Sequence, residues 1–88
     1  MTGLTVRVKY LSAIRDTTRK RLDEIPLPEG STLAAVAEWL ARTYGMTVPG
    51  PKLLATLNGR GWQQLAGGLA TALSPGDEIA IFPLVSGG

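Results

Sequence analysis

Leu33-Ala34-Ala35-Val36-Ala37-Glu38-Trp39-Leu40-Ala41-Arg42-Thr43-Tyr44 is the stretch of this chain with the clearest helical period. Leu33, Val36, Ala37, Leu40 and Tyr44 recur at helical spacing and share one apolar stripe, with Glu38 and Arg42 opposite. Thr32 or Ser31 offers a hydroxyl to the free amides of the first turn, and Gly45 stands where a left-handed C-terminal cap belongs. Trp39 lies on the flank of the stripe and reads as packing at the edge of a core. One helix of about three turns with one apolar stripe can cover one face of one small sheet. The rest of the chain must supply that sheet.

Working outward, residues 4–10 alternate strictly. Leu4, Val6, Val8 and Tyr10 share one face and Thr5, Arg7 and Lys9 the other, the pattern of a half-buried strand. Residues 11–18 read as a connection. Residues 19–27 read as a second, weaker strand, paired back on the first and kept to the sheet edge by Pro26 and Pro28. After the helix, residues 46–52 contain Pro49-Gly50-Pro51 and read as a loop. Residues 53–57 form a third strand, closed by Asn58-Gly59, a favoured hairpin pair. Residues 60–65 read as a short return strand carrying Trp62, and residues 66–73 as a small-residue connection with a helical turn. Ser74-Pro75-Gly76-Asp77 is a turn, and residues 78–82 are the last strand, ended by Pro83. The expected fold is an α+β roll, a mixed sheet of four to five strands with one main helix on one face. The opposite face would be partly open to solvent or to a partner.

Composition bounds the chemistry. Eighty-eight residues make one domain, able to bury roughly 60–65% of its unfolded surface. With no cysteine and no histidine, the chain has no thiol nucleophile and no imidazole base, and lacks the usual zinc ligands. It has no phosphate-binding glycine loop of the GxxxxGK[ST] type. Asp16, Asp23, Glu24, Glu29, Glu38, Asp77 and Glu78 form no recognisable acid–base pair. A self-contained enzyme and a metal site are therefore not expected. No signal peptide or bilayer-spanning stretch is read, and the lack of cysteine fits a reducing cytosol. The net charge of +2 is too small to argue for nucleic acid by itself. Arg15, Arg19, Lys20 and Arg21 could form a nucleic-acid patch, but a charged edge strand guarded against aggregation is the preferred reading.

Ser74-Pro75-Gly76-Asp77-Glu78-Ile79-Ala80-Ile81-Phe82-Pro83-Leu84-Val85-Ser86-Gly87-Gly88 resembles the ubiquitin-like sulfur carriers of the MoaD/ThiS family. In that family a Gly-Asp-Glu turn leads through a hydrophobic strand and a proline to a tail ending in Gly-Gly. The resemblance implies a β-grasp fold, with first and last strands parallel at the sheet centre. It divides the chain into a β-grasp domain, 1–82, and a flexible tail, 83–88.

It also implies a mechanism. An adenylating enzyme of the MoeB/ThiF type would activate Gly88 with ATP, and sulfur transfer would leave a thiocarboxylate there. Gly87 would keep the tail slim. Phe82, Pro83, Leu84 and Leu57 would form an apolar docking patch. No cofactor would be bound by the chain itself, since ATP is used by the activating partner. From Phe82 to Gly88 an extended tail would reach roughly 20 Å. The leading acceptor is the large subunit of molybdopterin synthase, for which this chain would be the small, non-catalytic partner. Residues 67–73 are similar to a stretch of the CysO branch, a carrier for cysteine synthesis. A protein modifier joined through Gly88 to lysine is the alternative from a different class. A cytoplasmic place is expected, with neither membrane nor nucleic acid as partner.

Overall fold

The computed structural model describes residues 3–84. In chain order the elements are β1 (Gly3–Tyr10), α1 (Ile14–Thr18), β2 (Leu22–Pro28), α2 (Leu33–Tyr44), β3 (Leu53–Leu57), β4 (Arg60–Gly61) and β5 (Glu78–Pro83). Two 3₁₀ turns, Trp62–Gln64 and Gly68–Ala70, lie between β4 and β5. The five strands form one sheet in the order β2-β1-β5-β3-β4. β1 and β5 are parallel, pairing Arg7 with Glu78 through Tyr10 with Ile81. Every other strand pairing is antiparallel. This is the α+β, β-grasp arrangement that the resemblance implies.

The alternation of β1 sorts its side chains as expected. Leu4, Val6, Val8 and Tyr10 are buried, while Thr5, Arg7 and Lys9 are exposed. On the covered side, Leu33, Val36 and Leu40 of α2 share a core with Val6, Val8, Ile79 and Ile81, all fully buried. Each such side chain contributes about 1.5–3 kcal/mol of transfer free energy. The sheet therefore spends one face on α2. Its other face carries Thr5, Arg7 and Lys9, then Ala80 and Phe82 of β5 and Leu54 and Thr56 of β3.

Local details depart from the sequence reading at four places. The expected hydroxyl cap of α2 does not form. Leu33 N–H instead donates to the Thr71 carbonyl at 3.1 Å, and Ser31 Oγ donates to the Pro28 carbonyl at 2.6 Å. The returning chain thus caps the helix, with Leu73 N–H closing the contact on the Ser31 carbonyl at 2.9 Å. The second strand starts at Leu22, not Arg19, because Arg19 takes a left-handed conformation (φ 63°) that ends α1. The return strand stops at Gly61, and Trp62 begins a 3₁₀ turn and is buried. β5 includes Pro83, opposite Leu53, where pairing was expected to stop at Phe82. Other expectations hold. Gly45 caps α2 at φ 71° and donates to the Ala41 carbonyl at 2.9 Å. Asn58 (φ 52°) and Gly59 (φ 89°) make the left-handed pair of a tight hairpin. β2 is an edge strand, which is why Pro26 is tolerated opposite Thr5.

One polar cluster ties the end of the sheet to α2. The Asp23 carboxylate, on β2, accepts Tyr10 Oη at 2.8 Å, Tyr44 Oη at 2.5 Å and Lys20 Nζ at 3.1 Å. Tyr10 and Tyr44 also meet edge-to-face with ring centroids 5.8 Å apart. Burial alone would raise the Asp23 pKa. The bonds from Tyr44, Tyr10 and Lys20 outweigh it and hold the carboxyl below the usual carboxylate range. Burial, then Asp23 itself, pushes both tyrosine hydroxyls up.

Candidate functional site

The segment that launches the last strand is built from the residues that carry the resemblance. Gly76 adopts φ 82°, a left-handed conformation that a side chain would strain. Asp77 N–H donates to the Ser74 carbonyl at 3.1 Å, and Asp77 Oδ2 accepts Ser74 N–H at 2.7 Å. Asn58 then clamps the turn from the neighbouring hairpin. Its amide donates to Asp77 Oδ1 at 3.1 Å, and its Oδ1 accepts Glu78 N–H at 2.9 Å. Glu78 faces Lys9 across the parallel pair, 3.2 Å from its Nζ. The Gly-Asp-Glu run is thus a device for starting β5 in register.

From there β5 runs between β1 and β3 and aims the chain out of the far end of the sheet. Ile79 and Ile81 point into the core, and Phe82 points to the open face, half-buried. Phe82 pairs in register with Leu54, and Pro83, also half-buried, with Leu53. Leu84 N–H still donates to the Lys52 carbonyl at 2.9 Å, while its side chain is 47% exposed. Gly87 and Gly88, expected to carry the chemistry, lie outside the described residues.

Of the four expected docking residues, the structure brings Phe82, Pro83 and Leu84 together at the strand end. Leu57 is a correction. It is 7% exposed, pairs with Ile79 and belongs to the core under α2. The reason is parity. Leu57 sits three residues from Leu54 along β3, so the two leucines point to opposite faces. Leu54 takes the place assigned to Leu57. With Phe82, Thr56, Pro49, Trp62 and Gln64 it lines a hollow of about 210 Å³ beside β5. Sequence reasoning missed Leu54 because residues 53, 54 and 57 put leucine at both parities. The cross-strand register with Phe82 is the signal that separates them.

What this arrangement offers chemically is a rigid handle. The titratable groups with perturbed pKa values are gathered around Asp23 and not along the open face beside Phe82. The model of the ThiS family matches residues 8–88, nearly the whole chain. The chain belongs to the ThiS family. That family is one of ubiquitin-like sulfur carriers.

Solved structures agree on the β-grasp fold. The chain is similar to small archaeal modifier protein 1 of Methanosarcina acetivorans, at 22% identity and TM-score 0.79, covering 100% of both chains. It is similar to a Pyrococcus furiosus protein assigned as molybdopterin converting factor subunit 1, at 24% identity and TM-score 0.76, over 93% of this chain and 99% of that one. It is similar to CysO of Mycobacterium tuberculosis, at 27% identity and TM-score 0.66, over 91% and 99%. No curated protein sequence matches the chain.

Proposed function

We propose that this ThiS-family chain is a cytoplasmic sulfur carrier whose Gly88 carboxylate is adenylated by a partner and converted to a thiocarboxylate. The observation that carries this reading is the placing of β5. The central strand leads straight to the segment bearing Gly87-Gly88, with Phe82, Pro83 and Leu84 at its exit and Leu54 beside it. A carboxylate is a poor electrophile until one oxygen becomes part of a leaving group. In the first step a Gly88 carboxylate oxygen bonds to the α-phosphorus of ATP and pyrophosphate leaves. In the second a hydrosulfide-level sulfur attacks the carbonyl carbon, AMP leaves, and the proton passes to solvent. The chain needs no thiol for this, because the sulfur rides on Gly88. Beyond Leu84 four residues would reach about 13 Å when extended, enough to enter a partner's channel. A side chain at Gly87 or Gly88 would crowd that channel or the carbonyl.

The first acceptor we propose is a molybdopterin synthase large subunit, with this chain as the small partner. The Pyrococcus furiosus likeness and the Phe82-Pro83 ending support it. A cysteine-forming acceptor is the second reading, favoured by the CysO likeness and residues 67–73. Incubation with the cognate adenylating enzyme, ATP and a sulfur donor should replace one oxygen of the chain by sulfur, read by intact mass. Addition of each acceptor in turn then tells which one removes the sulfur. An unchanged mass, or full activity after deletion of Gly88, would refute the carrier reading. Lysine-linked adducts lost on deleting Gly87-Gly88 would mark a protein modifier instead.

A further inference from the structure

Arg15, Arg19, Lys20 and Arg21 do not lie on an edge strand, so aggregation control of a strand does not account for them. Arg15 is on α1, and the other three fill the turn between α1 and β2. With Ser12 and Asp16 they line an open hollow of about 560 Å³. All four are exposed. Lys20 is committed to Asp23, but among the described residues Arg15, Arg19 and Arg21 make no ion pair.

The place of this cluster follows from strand direction. β1 and β5 run parallel, so the end of β1, the following α1 and the end of β5 share one end of the sheet. Leu11 N–H donates to the Ile81 carbonyl at 3.0 Å, and Tyr10 N–H to the Arg21 carbonyl at 2.8 Å. β3 is antiparallel to β5, so its start, with Lys52, lies at the same end, where Leu84 bonds the Lys52 carbonyl. Arg15, Arg19, Lys20, Arg21 and Lys52 therefore lie at the end of the sheet from which β5 exits, with Asp16 and Asp23 the carboxylates beside them. Glu29, Asp77 and the Asn58-Gly59 turn lie at the opposite end of the sheet, with Arg60 the cation beside that turn. The charge is polarised along the strand axis, positive where the tail leaves.

The geometry points to this exit end as a cationic collar that docks on a carboxylate-rich surface of the adenylating enzyme, around the mouth of the channel that takes the tail. The inference rests on the carrier reading. Adenylation is chosen because activation of Gly88 precedes transfer to any acceptor, sulfur-bearing or protein. The reach beyond Leu84 is about 13 Å. The collar must therefore come close to the partner whenever Gly88 reaches the ATP site. That distance is comparable to the Debye length of about 10 Å at 0.1 M salt, so its charges are felt before contact. Collar charges would steer encounter and set its orientation more than they add final affinity.

The test is a triple reversal, R15E/R21E/K52E, assayed by ATP–pyrophosphate exchange with the adenylating enzyme from the same genome. Arg19 is left alone because its backbone is left-handed, and Lys20 because it holds Asp23. The variant should lose about tenfold or more in kcat/KM at low salt, with kcat at saturation kept and the difference shrinking toward 0.5 M salt, as steering predicts. The matching Arg→Lys variant at 15 and 21 should keep wild-type rates. Wild-type association should itself slow as salt rises, which tests the collar even if the reversal does not fold. Equal kcat/KM and equal salt dependence for wild type and reversal would overturn the collar while leaving the carrier reading standing. A wild-type chain that supports no exchange would overturn both. Binding of a single-stranded RNA oligonucleotide, lost in the reversal while exchange is unchanged, would assign the cluster to nucleic acid instead.

Discussion

Replacing Asp23 by alanine should destabilise this domain more than its place on an edge strand suggests. Three donors converge on the one carboxylate, and their worth differs. Lys20 is exposed, so solvent screening leaves its ion pair little to add. The two tyrosine hydroxyls donate to a charged acceptor whose side chain is only 13% exposed, which sets each at about 1.5 kcal/mol, the low end for such bonds. Tyr10 is 1% exposed, so removing the carboxylate strands its hydroxyl. The sum is about 3 kcal/mol, or roughly 12–24 °C in Tm for a domain of this size.

The same carboxylate gives stability a pH dependence with a definite sign. Its folded pKa lies below the unfolded value, about 3.9, so its contribution is complete well above that value. It is lost as pH falls through the unfolded value toward the lower folded one. Urea melts of wild type, Asp23→Ala, Asp23→Asn, Tyr10→Phe and Tyr44→Phe at pH 7 and at pH 3.5 measure both effects. Asp23→Asn should flatten the acid limb, and the two Phe variants should couple to Asp23→Ala in double-mutant cycles. A cost below about 1 kcal/mol for Asp23→Ala, or an unchanged acid limb in Asp23→Asn, would refute the reasoning.

The remaining expectations are narrower. Leu57→Ser should cost about 2–5 kcal/mol and be seen as a loss of folded protein, whereas Leu54→Ser should leave Tm nearly unchanged and raise the KM for the chain in thiocarboxylate transfer several-fold. If both behave alike, the assignment of leucines to the two faces of β3 is wrong. Asn58→Ala should lower stability by about 1–2 kcal/mol, since it removes the side-chain bonds to Asp77 and Glu78 and a residue suited to positive φ. Hydrogen exchange at Glu78 N–H should quicken in that variant ahead of the core amides; no change there would remove Asn58 from the role of clamp.

Local pattern made much of this fold legible. Periods of two and 3.6 placed β1 and α2, where the buried apolar positions recur without a break, while β5 was placed by its apolar run between a turn and a proline. Asn58-Gly59 and Ser74-Pro75-Gly76-Asp77 gave away their turns through residues that accept positive φ. What stayed hidden was set by contacts distant in sequence. The cap of α2 comes from Thr71, nearly forty residues away, and no local motif announces a backbone carbonyl. The open-face role of Leu54 depends on a register with Phe82 that β3 alone cannot state. The basic run looked like part of a strand because charge carries no period. Its place at the end of the sheet where β5 exits emerged only once β1 and β5 were known to run in the same direction. At the site itself, the placing of Leu54 beside Phe82 was not legible from local pattern, and Gly87 and Gly88 lie outside the described residues.

β5 has a neighbour on each side, and this makes the domain a mechanical stop as well as a handle. Tension drawn through Leu84 runs along the strand and loads the ladders to β1 and β3 together, in shear, so that many hydrogen bonds must fail at once. An edge strand under the same pull would peel one bond at a time. Under the carrier proposal, a partner's pull on the tail would be held at Leu84, which is pinned to Lys52. Under the carrier proposal, the chain beyond that bond would set one insertion depth, the same for each partner.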